Sequence, residues 1–212
     1  MKNVTRLFVV MIISIITCSM TSCLKDKNDE STPITYEEAL GYMRQFAGTY
    51  NGKLFFYNDT ITNSTTKIDS VATQMVVTAN DSTITMSNIP GRVFSKLLSG
   101  TQYQSLRQAL DNVPPMELTA RYVFYSATTD NFIYFGIYPL SKTVVVNYDG
   151  ADHKITFNFY NIINANGQYY MNESYIPFYV TEVRIDNMLE RSYTIGGYYT
   201  DKNCVYYFRG KK

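Results

Sequence analysis

The sequence has one histidine and no tryptophan among its 212 residues, and its two kinds of charge nearly cancel. A lone histidine excludes any metal or catalytic site that depends on a pair of histidines. Nineteen basic residues against 18 acidic ones give a net charge of +1, whereas a nucleic-acid-binding protein needs clustered positive charge to displace counterions. Hydrophobic residues make up 45% and charged residues 17%, so the chain is not a disordered or acidic-tail protein.

Short catalytic and cofactor-binding motifs are missing as well. The chain contains no Gly-x-Ser-x-Gly elbow, no His-Glu-x-x-His, no Walker loop and no Gly-rich dinucleotide turn, which are signatures of hydrolases, zinc proteases, nucleoside triphosphatases and dehydrogenases. We therefore expect no cofactor and no metal, and the sequence gives no support for an enzyme.

The amino terminus has the pattern of an export signal. Two basic residues precede an apolar run over residues 7–16 that only Ser14 interrupts, and this run is about half as long as a membrane-spanning helix. The run leads to Met20-Thr21-Ser22-Cys23, which resembles the bacterial lipobox. The resemblance implies a signal peptide over residues 1–22 and a lipid on Cys23 that anchors the protein in a membrane. A secretory leader cut elsewhere, with Cys23 left as a free thiol, is the alternative.

The segment after the lipobox is predicted to be a tether. Residues 23–34 are mostly polar or charged and lack apolar periodicity. Lys25-Asp26 is similar to part of the acidic export signal of Bacteroides-type surface lipoproteins, although Lys27 interrupts the acidic run. The resemblance implies an outer-membrane lipoprotein of the cell envelope, and it favours the cell surface over the periplasmic face.

Cysteine usage leaves no pair for an intramolecular disulfide. Cys18 leaves with the leader and the sulfur of Cys23 carries the lipid, so Cys204 has no partner. Cys204 lies in an aromatic predicted strand without an adjacent base, which is typical of a buried, unreactive cysteine. The exported domain is therefore expected to depend on its hydrophobic core alone.

One domain, residues 35–212, follows the tether, and a short helix begins it. Thr35 and Glu38 form a capping box. Apolar residues recur at helical spacing from Tyr36 to Phe46, and Gly48 is typical of a helix end.

From residue 49 onward the apolar period changes to two, the period of β-strands. Turn signals occur at Asn80-Asp81, Asp149-Gly150 and Asn166-Gly167, and a helical insert over residues 93–113 interrupts the strands. The pattern predicts a mainly β fold. It is a single antiparallel β-barrel or sandwich of about ten strands, with a short N-terminal helix and a helical insert.

The first predicted strand carries a family resemblance. Gly48-Thr49-Tyr50-Asn51-Gly52 resembles the Gly-x-Trp opening strand of lipocalin-like proteins, with Tyr50 in place of the Trp. The resemblance implies a calycin-like barrel with an aromatic plug at one end. The insert between Pro90 and Pro115 departs from the plain meander of that family. From lipobox to tyrosine-rich strands, the chain also resembles small Bacteroides lipoproteins grouped as domains of unknown function, a likeness that implies no particular activity.

Tyrosine is the most unusual feature of the composition, with 20 residues beside 12 Phe. A tyrosine ring supplies contact area at little entropic cost, its hydroxyl orients a polar ligand, and sugar rings stack on such faces. Tyrosines crowd the later hairpins, and the candidate ligand-binding residues are Tyr169, Tyr170, Tyr175, Tyr198 and Tyr199. The alternative is that tyrosine is simply a good strand former on a half-exposed sheet.

Two groups of charged residues are better explained as solvated surface than as sites. Asp149, Asp152 and His153 share one predicted turn, which has too few ligands for a strong cation site. Glu182 and Asp186 are about 13 Å apart on one strand face at roughly 3.3 Å per residue, which is too far for the paired carboxylates of a glycosidase.

Three short segments resemble the Asp–Ser/Thr acceptor of O-glycosylation in Bacteroides-type exported proteins. The candidate acceptors are Thr60, Ser70 and Ser82, and each follows an aspartate. All three lie within 25 residues and at predicted strand ends, which favours O-glycosylation at these positions.

These features predict a non-enzymatic envelope lipoprotein that binds a glycan, lipid or peptide in an aromatic-lined cavity or on an aromatic face. The alternative is a structural or adhesin-type interaction subunit of a surface assembly, which would present an open strand edge to its partner. An enclosed cavity of roughly a few hundred Å³ would favour the binder. An unpaired apolar edge strand or a flat aromatic patch would favour the assembly.

Overall fold

The computed structural model describes residues 34–58, 67–127, 132–160, 162–170, 172–193 and 205–212. The predicted signal peptide, residues 1–22, and Cys23 lie outside the described residues. The helices are α1 (Tyr36–Phe46), α2 (Arg92–Ser95) and α3 (Gln104–Asp111), and a 3₁₀ turn spans Thr101–Tyr103. In the described ranges, none of the helices is long and apolar enough to cross a membrane. The strands are β1 (Gly48–Tyr57), β2 (Ile68–Thr78), β3 (Thr83–Ile89), β4 (Met116–Ala127), β5 (Phe132–Pro139), β6 (Lys142–Tyr148), β7 (Ala151–Phe159), β8 (Ile162–Tyr170), β9 (Glu173–Ile185), β10 (Met188–Ser192) and β11 (Val205–Lys211).

α1 begins at the capping box that the sequence predicts. The Thr35 hydroxyl accepts a 3.3 Å hydrogen bond from the N–H of Glu38, and the Glu38 carboxylate accepts a 2.7 Å hydrogen bond from the N–H of Thr35. The backbone hydrogen bond from Thr35 lowers the pKa of Glu38. The helix ends at the buried Phe46, and the next residue, Ala47, has an extended backbone. The ring of Phe46 therefore lies next to the start of β1.

Eight of the strands close into an antiparallel barrel. Their order is β11–β1–β2–β3–β4–β5–β8–β9, and β9 pairs back onto β11. Closure satisfies ladder hydrogen bonds that an open sheet would leave at its margins. The prediction of a mainly β fold is confirmed, and the structure is the closed barrel rather than the sandwich.

A second, smaller sheet extends from the barrel through β9. Tyr179 is the last residue of β9 that pairs with β11, and from Val180 onward β9 pairs with β7. β10 pairs with the other side of this half of β9, and β6 pairs with β7, which gives the order β6–β7–β9–β10. The 13 residues of β9 therefore belong to both sheets.

Aromatic side chains fill the end of the barrel next to α1. The ring of Phe46 lies 4.5 Å from that of Phe135 and 5.3 Å from that of Tyr122, centroid to centroid. The Tyr50 hydroxyl donates a 2.6 Å hydrogen bond to the carbonyl of Phe46, and burial raises its pKa. Gly167 makes room for Phe135, because a Cβ there would lie 2.2 Å from the ring. This end of the barrel is plugged.

The helical insert covers the opposite end of the barrel. Phe56 and Tyr206 are paired at the far end of β1, and the Tyr206 hydroxyl donates a 3.3 Å hydrogen bond to the carbonyl of Val93. The neighbouring Phe94 stacks on Phe157 of β7 at 4.7 Å. The insert thus packs against both the barrel and the inner face of the second sheet.

One predicted hairpin turn is wrong. Asn166-Gly167 lies inside β8, where Gly167 is opposite Phe135 of β5. The glycine serves the close approach of the Phe135 ring rather than a change of chain direction.

Two other predicted turns are found, one of them with a different length. β6 and β7 are joined by Asp149-Gly150 with φ of 52° and 86°, as a two-residue hairpin turn with both residues left-handed requires. β2 and β3 are joined by the four residues 79–82 rather than by Asn80-Asp81 alone, because Thr78 pairs with Thr83.

Candidate functional site

The interior of the barrel is packed with side chains in the described part of the chain. A cavity of about 10 Å³ lies between β3, β4, β5 and β9, which is space for roughly one water molecule. Pockets for small ligands have volumes of roughly 300–1,000 Å³. This cavity is therefore too small for a small-molecule ligand.

Of the five tyrosines that the sequence suggests for ligand binding, the structure places Tyr169 and Tyr175 on opposite sides of the barrel wall. Tyr169 is 3% exposed inside the barrel, and burial raises its pKa. Tyr170 is the last residue of β8. Tyr175 lies on the outer wall and is 36% exposed. Two of the five lie outside the described residues: Tyr198 and Tyr199.

Tyr175 belongs to a row of three aromatic side chains that crosses the outer wall of the barrel. Phe55 of β1 and Tyr207 of β11 are cross-strand partners, with ring centroids 4.7 Å apart and planes 9° apart. The ring of Tyr175 lies 5.5 Å from that of Tyr207. Each of the three is flanked in sequence by buried residues, so the period of two directs it outward. Phe55, Tyr207 and Tyr175 are called the aromatic row below.

The first two rings of the aromatic row stand face to face on neighbouring strands. Their separation matches the spacing of paired strands, so they present their edges to solvent. The other face of Phe55 is directed towards Ser70, its cross-strand neighbour in β2, which is too small to cover a ring. Burial raises the pKa of Tyr175, so its hydroxyl is protonated at neutral pH and can donate a hydrogen bond.

Two basic side chains border the aromatic row. Lys53 and Arg209 are cross-strand partners, and Arg209 is also opposite Tyr175. The Arg209 side chain is 68% exposed and lies 3.7 Å from the Glu173 carboxylate. Lys211 engages the same carboxylate at 2.5 Å, and its hydrogen bond lowers the pKa of Glu173. Because Glu173 is shared, the guanidinium of Arg209 keeps donors for a polar or anionic group.

The charged groups noted in the sequence are spread over two faces of the second sheet. The Asp152 carboxylate accepts a hydrogen bond from a neighbouring asparagine at 2.7 Å. His153 contacts Asp186, with 2.8 Å between Nδ1 and Oδ2. Glu182 accepts a 3.0 Å hydrogen bond from the arginine two positions along. Among the described residues, no three His, Cys, Asp or Glu side chains form a group that could hold a metal ion.

Two of the three glycosylation candidates fall in the described part of the chain. Ser70 is partly buried in β2. Ser82 ends the β2–β3 turn with φ of 53°, and its carbonyl accepts a 3.0 Å hydrogen bond from the N–H of Tyr122. Thr60 and the lipidation candidate Cys23 lie outside the described residues.

Sequence reasoning missed Phe55 and Tyr207 as members of the candidate site. The alternation of buried and exposed residues along β1 and β11 predicts that both side chains point outward. The sequence does not predict that they are neighbours, because β1 and β11 are far apart in the chain and meet only through closure of the barrel.

The fold defines the class of protein as a closed eight-stranded antiparallel β-barrel with additional strands. The chain belongs to the family described as Domain of unknown function (DUF4840), which matches residues 45–187. The match covers β1 to β9, whereas β11, which closes the barrel, lies beyond it. No curated protein and no solved structure gives a significant match to the chain.

Proposed function

We propose that the protein is a non-enzymatic binding module of the cell envelope that holds a glycan against the aromatic row. The observation that carries the proposal is the contact of Phe55, Tyr207 and Tyr175 on the outer wall, beside Lys53 and Arg209. Ring faces and edges supply apolar contacts to a sugar. Tyrosine hydroxyls and basic side chains supply hydrogen bonds to its hydroxyl or acid groups.

The packed interior supports a surface ligand over an enclosed one. A lipid chain needs an apolar cavity of its own size, and the cavity between β3, β4, β5 and β9 is about 10 Å³. A glycan needs only an outward platform with donors at its border, which the aromatic row and its basic neighbours supply. Among the ligands that the sequence suggests, a glycan therefore fits best, and a peptide ranks second.

The envelope location rests on the amino-terminal sequence. We infer that residues 1–22 are removed, that Cys23 carries the lipid and that residues 23–34 tether the barrel at the outer membrane, on the surface side. In this proposal the chain is a Bacteroides-type lipoprotein. The fully buried Tyr50 at the start of β1 supports kinship with lipocalin-like barrels, where a first-strand aromatic plugs one end.

Affinity electrophoresis of the purified protein in gels that contain neutral or acidic polysaccharides tests the glycan site. We expect at least one polysaccharide to retard the wild type, and Tyr207→Ala to weaken the interaction about tenfold, as the loss of a central aromatic contact does. Tyr36→Ala is the matched control, since Tyr36 is 55% exposed on α1 outside the row. Retardation that survives Tyr207→Ala, or no retardation by any polysaccharide, contradicts the proposal.

Metabolic labelling with palmitate tests the envelope location separately. The wild type is expected to incorporate the label and Cys23→Ala is expected to remain an unlabelled precursor. If the wild-type protein never incorporates palmitate, the proposed lipid anchor is contradicted, whereas the proposed glycan site can still be tested.

A structural or adhesin-type subunit of a surface assembly is the second candidate. The observation that favours it is the outer edge of β6, which pairs with β7 alone among the described strands. Val145 on this edge is 66% exposed. An open apolar edge of this kind is suited to strand addition.

A further inference from the structure

The outer edge of β6 carries backbone groups that have no partner strand in the described part of the chain. Val145 is opposite Lys154 of β7, and the Lys154 carbonyl accepts a 2.9 Å hydrogen bond from Asp186 on the other side of β7. Val145 and Lys154 are therefore a non-hydrogen-bonded pair of the antiparallel ladder, in which the backbone groups of the two residues point away from one another. The N–H and C=O groups of Val145, and of Thr143 and Asn147 two positions away, therefore point outward from the sheet.

Lys142 begins this edge strand and α3 packs against β6, but the middle of the strand lacks the features that protect exposed edges from pairing. Residues 143–147 contain no proline and no charge, and their register with β7 is continuous. By contrast, β10 at the opposite edge has a bulge between Leu189 and Arg191 and carries Glu190 within it. Natural proteins normally guard an exposed edge in such ways, so the uncharged and regular stretch 143–147 is suited to pairing with a partner strand.

We propose that this partner is a second copy of the chain, whose β6 pairs antiparallel with the first about a two-fold axis at Val145. In this register Val145 lies opposite Val145 of the partner subunit, and Thr143 lies opposite Asn147 of the partner subunit. The outward backbone groups of all three positions then form ladder hydrogen bonds. The two Val145 side chains bury each other on the exposed face, and the two outer sheets join into one continuous sheet.

Charges at the two ends of β6 select an antiparallel copy. Lys142 begins the strand, and Asp149 follows it in the turn to β7. Antiparallel pairing brings Lys142 of each protomer next to the end of the other strand that carries Asp149, and symmetry provides this contact twice. A parallel pair would place like charges side by side. The strand is thus complementary to itself, as a two-fold interface requires.

The pairing goes beyond the glycan proposal and does not depend on it. The aromatic row lies on β1, β11 and the first half of β9, whereas the pairing uses β6. Substitutions in one surface leave the other intact, so an experiment that contradicts one proposal does not affect the test of the other.

Cysteine cross-linking of the full chain tests the pairing. In a Cys204→Ser background, Val145→Cys is expected to form a disulfide-linked dimer, because Cα atoms across a hydrogen-bonded antiparallel pair are about 5.5 Å apart, within disulfide range. Val76→Cys is the matched control, since Val76 is an exposed valine of β2. Absence of a dimer from Val145→Cys, or equal dimer formation by both variants, overturns the proposal.

Amide hydrogen exchange tests the pairing in the wild-type protein first. The N–H groups of Thr143, Val145 and Asn147 are expected to exchange more slowly as protein concentration rises. Val145→Lys, which places like charges on the two-fold axis, should abolish this dependence, and Val76→Lys should retain it. Exchange that is fast at every concentration, or protection that appears only when another protein is added, overturns the second copy as partner.

Discussion

The Nζ atom of Lys212 lies 5.6 Å from the ring centroid of Tyr50 and donates a 2.5 Å hydrogen bond to the carbonyl of Gln45. It is also 5.7 Å from the ring centroid of Tyr169. The ammonium group therefore connects the end of β11 to the carboxyl end of α1, where helix carbonyls carry partial negative charge. One side chain thus links closure of the barrel to docking of the helix that plugs it.

Lys212→Met is expected to lower the free energy of unfolding by about 1 kcal/mol, because a cation–π contact and a hydrogen bond at a helix end are lost. Urea denaturation monitored by circular dichroism measures the change. Lys154→Met is the control, since Lys154 is an exposed lysine of β7, and its stability should equal that of the wild type. A Lys212→Met protein as stable as the wild type would show that the contact contributes nothing.

Gly167→Ala is expected to destabilise the protein by about 1–3 kcal/mol, the usual cost of overpacking a core. The added Cβ would lie 2.2 Å from the ring of Phe135, which is fully buried. Adding Phe135→Leu to Gly167→Ala should recover part of the loss, and a double-mutant cycle by urea denaturation measures the coupling.

Gly41→Ala serves as the control for the same chemical change. Nothing lies within 4 Å of a Cβ at Gly41, and the residue is in α1. Alanine should therefore stabilise the protein by about 0.5–1 kcal/mol through helix propensity. Equal effects at the two glycines would contradict the steric explanation.

The stability of the second sheet is expected to depend on the ionisation of Asp186. The hydrogen bond from the N–H of Lys154, and secondly that from His153, hold the pKa of Asp186 below its ordinary value of 3.8. The folded state therefore binds fewer protons than the unfolded state as the pH falls. The stabilisation is complete above pH 3.8 and is lost as the pH falls through the lowered folded value.

Asp186→Asn isolates this contribution, because asparagine also adopts the positive φ of 50° found at position 186. The variant should be less stable than the wild type at neutral pH, and the difference should shrink in acid. Urea midpoints of both proteins across the acid range measure it. A difference that does not change with pH would show that the ionisation of Asp186 does not contribute to stability.

The elements that the sequence predicts correctly are those determined by near neighbours in the chain. The capping box of Thr35 and Glu38 places the start of α1, and Asp149-Gly150 supplies the left-handed pair that its hairpin needs. Alternation of buried and exposed residues identifies most strands and the mainly β class.

The features that the sequence could not predict depend on residues far apart in the chain. Gly167 has the signature of a turn, but the ring of Phe135 on a different strand determines its role. Phe55 and Tyr207 become neighbours only when β11 closes the barrel against β1. Tyr169 and Tyr175 are both strand tyrosines, and only the register of β8 and β9 separates an interior side chain from an exterior one.

The division of β9 between Tyr179 and Val180 has a mechanical consequence. A force that pulls on the second sheet is transmitted along the continuous main chain of β9 to the β9–β11 pairing that closes the barrel. Because one continuous strand carries the ladder hydrogen bonds of both sheets, the two sheets are expected to unfold together in one cooperative step.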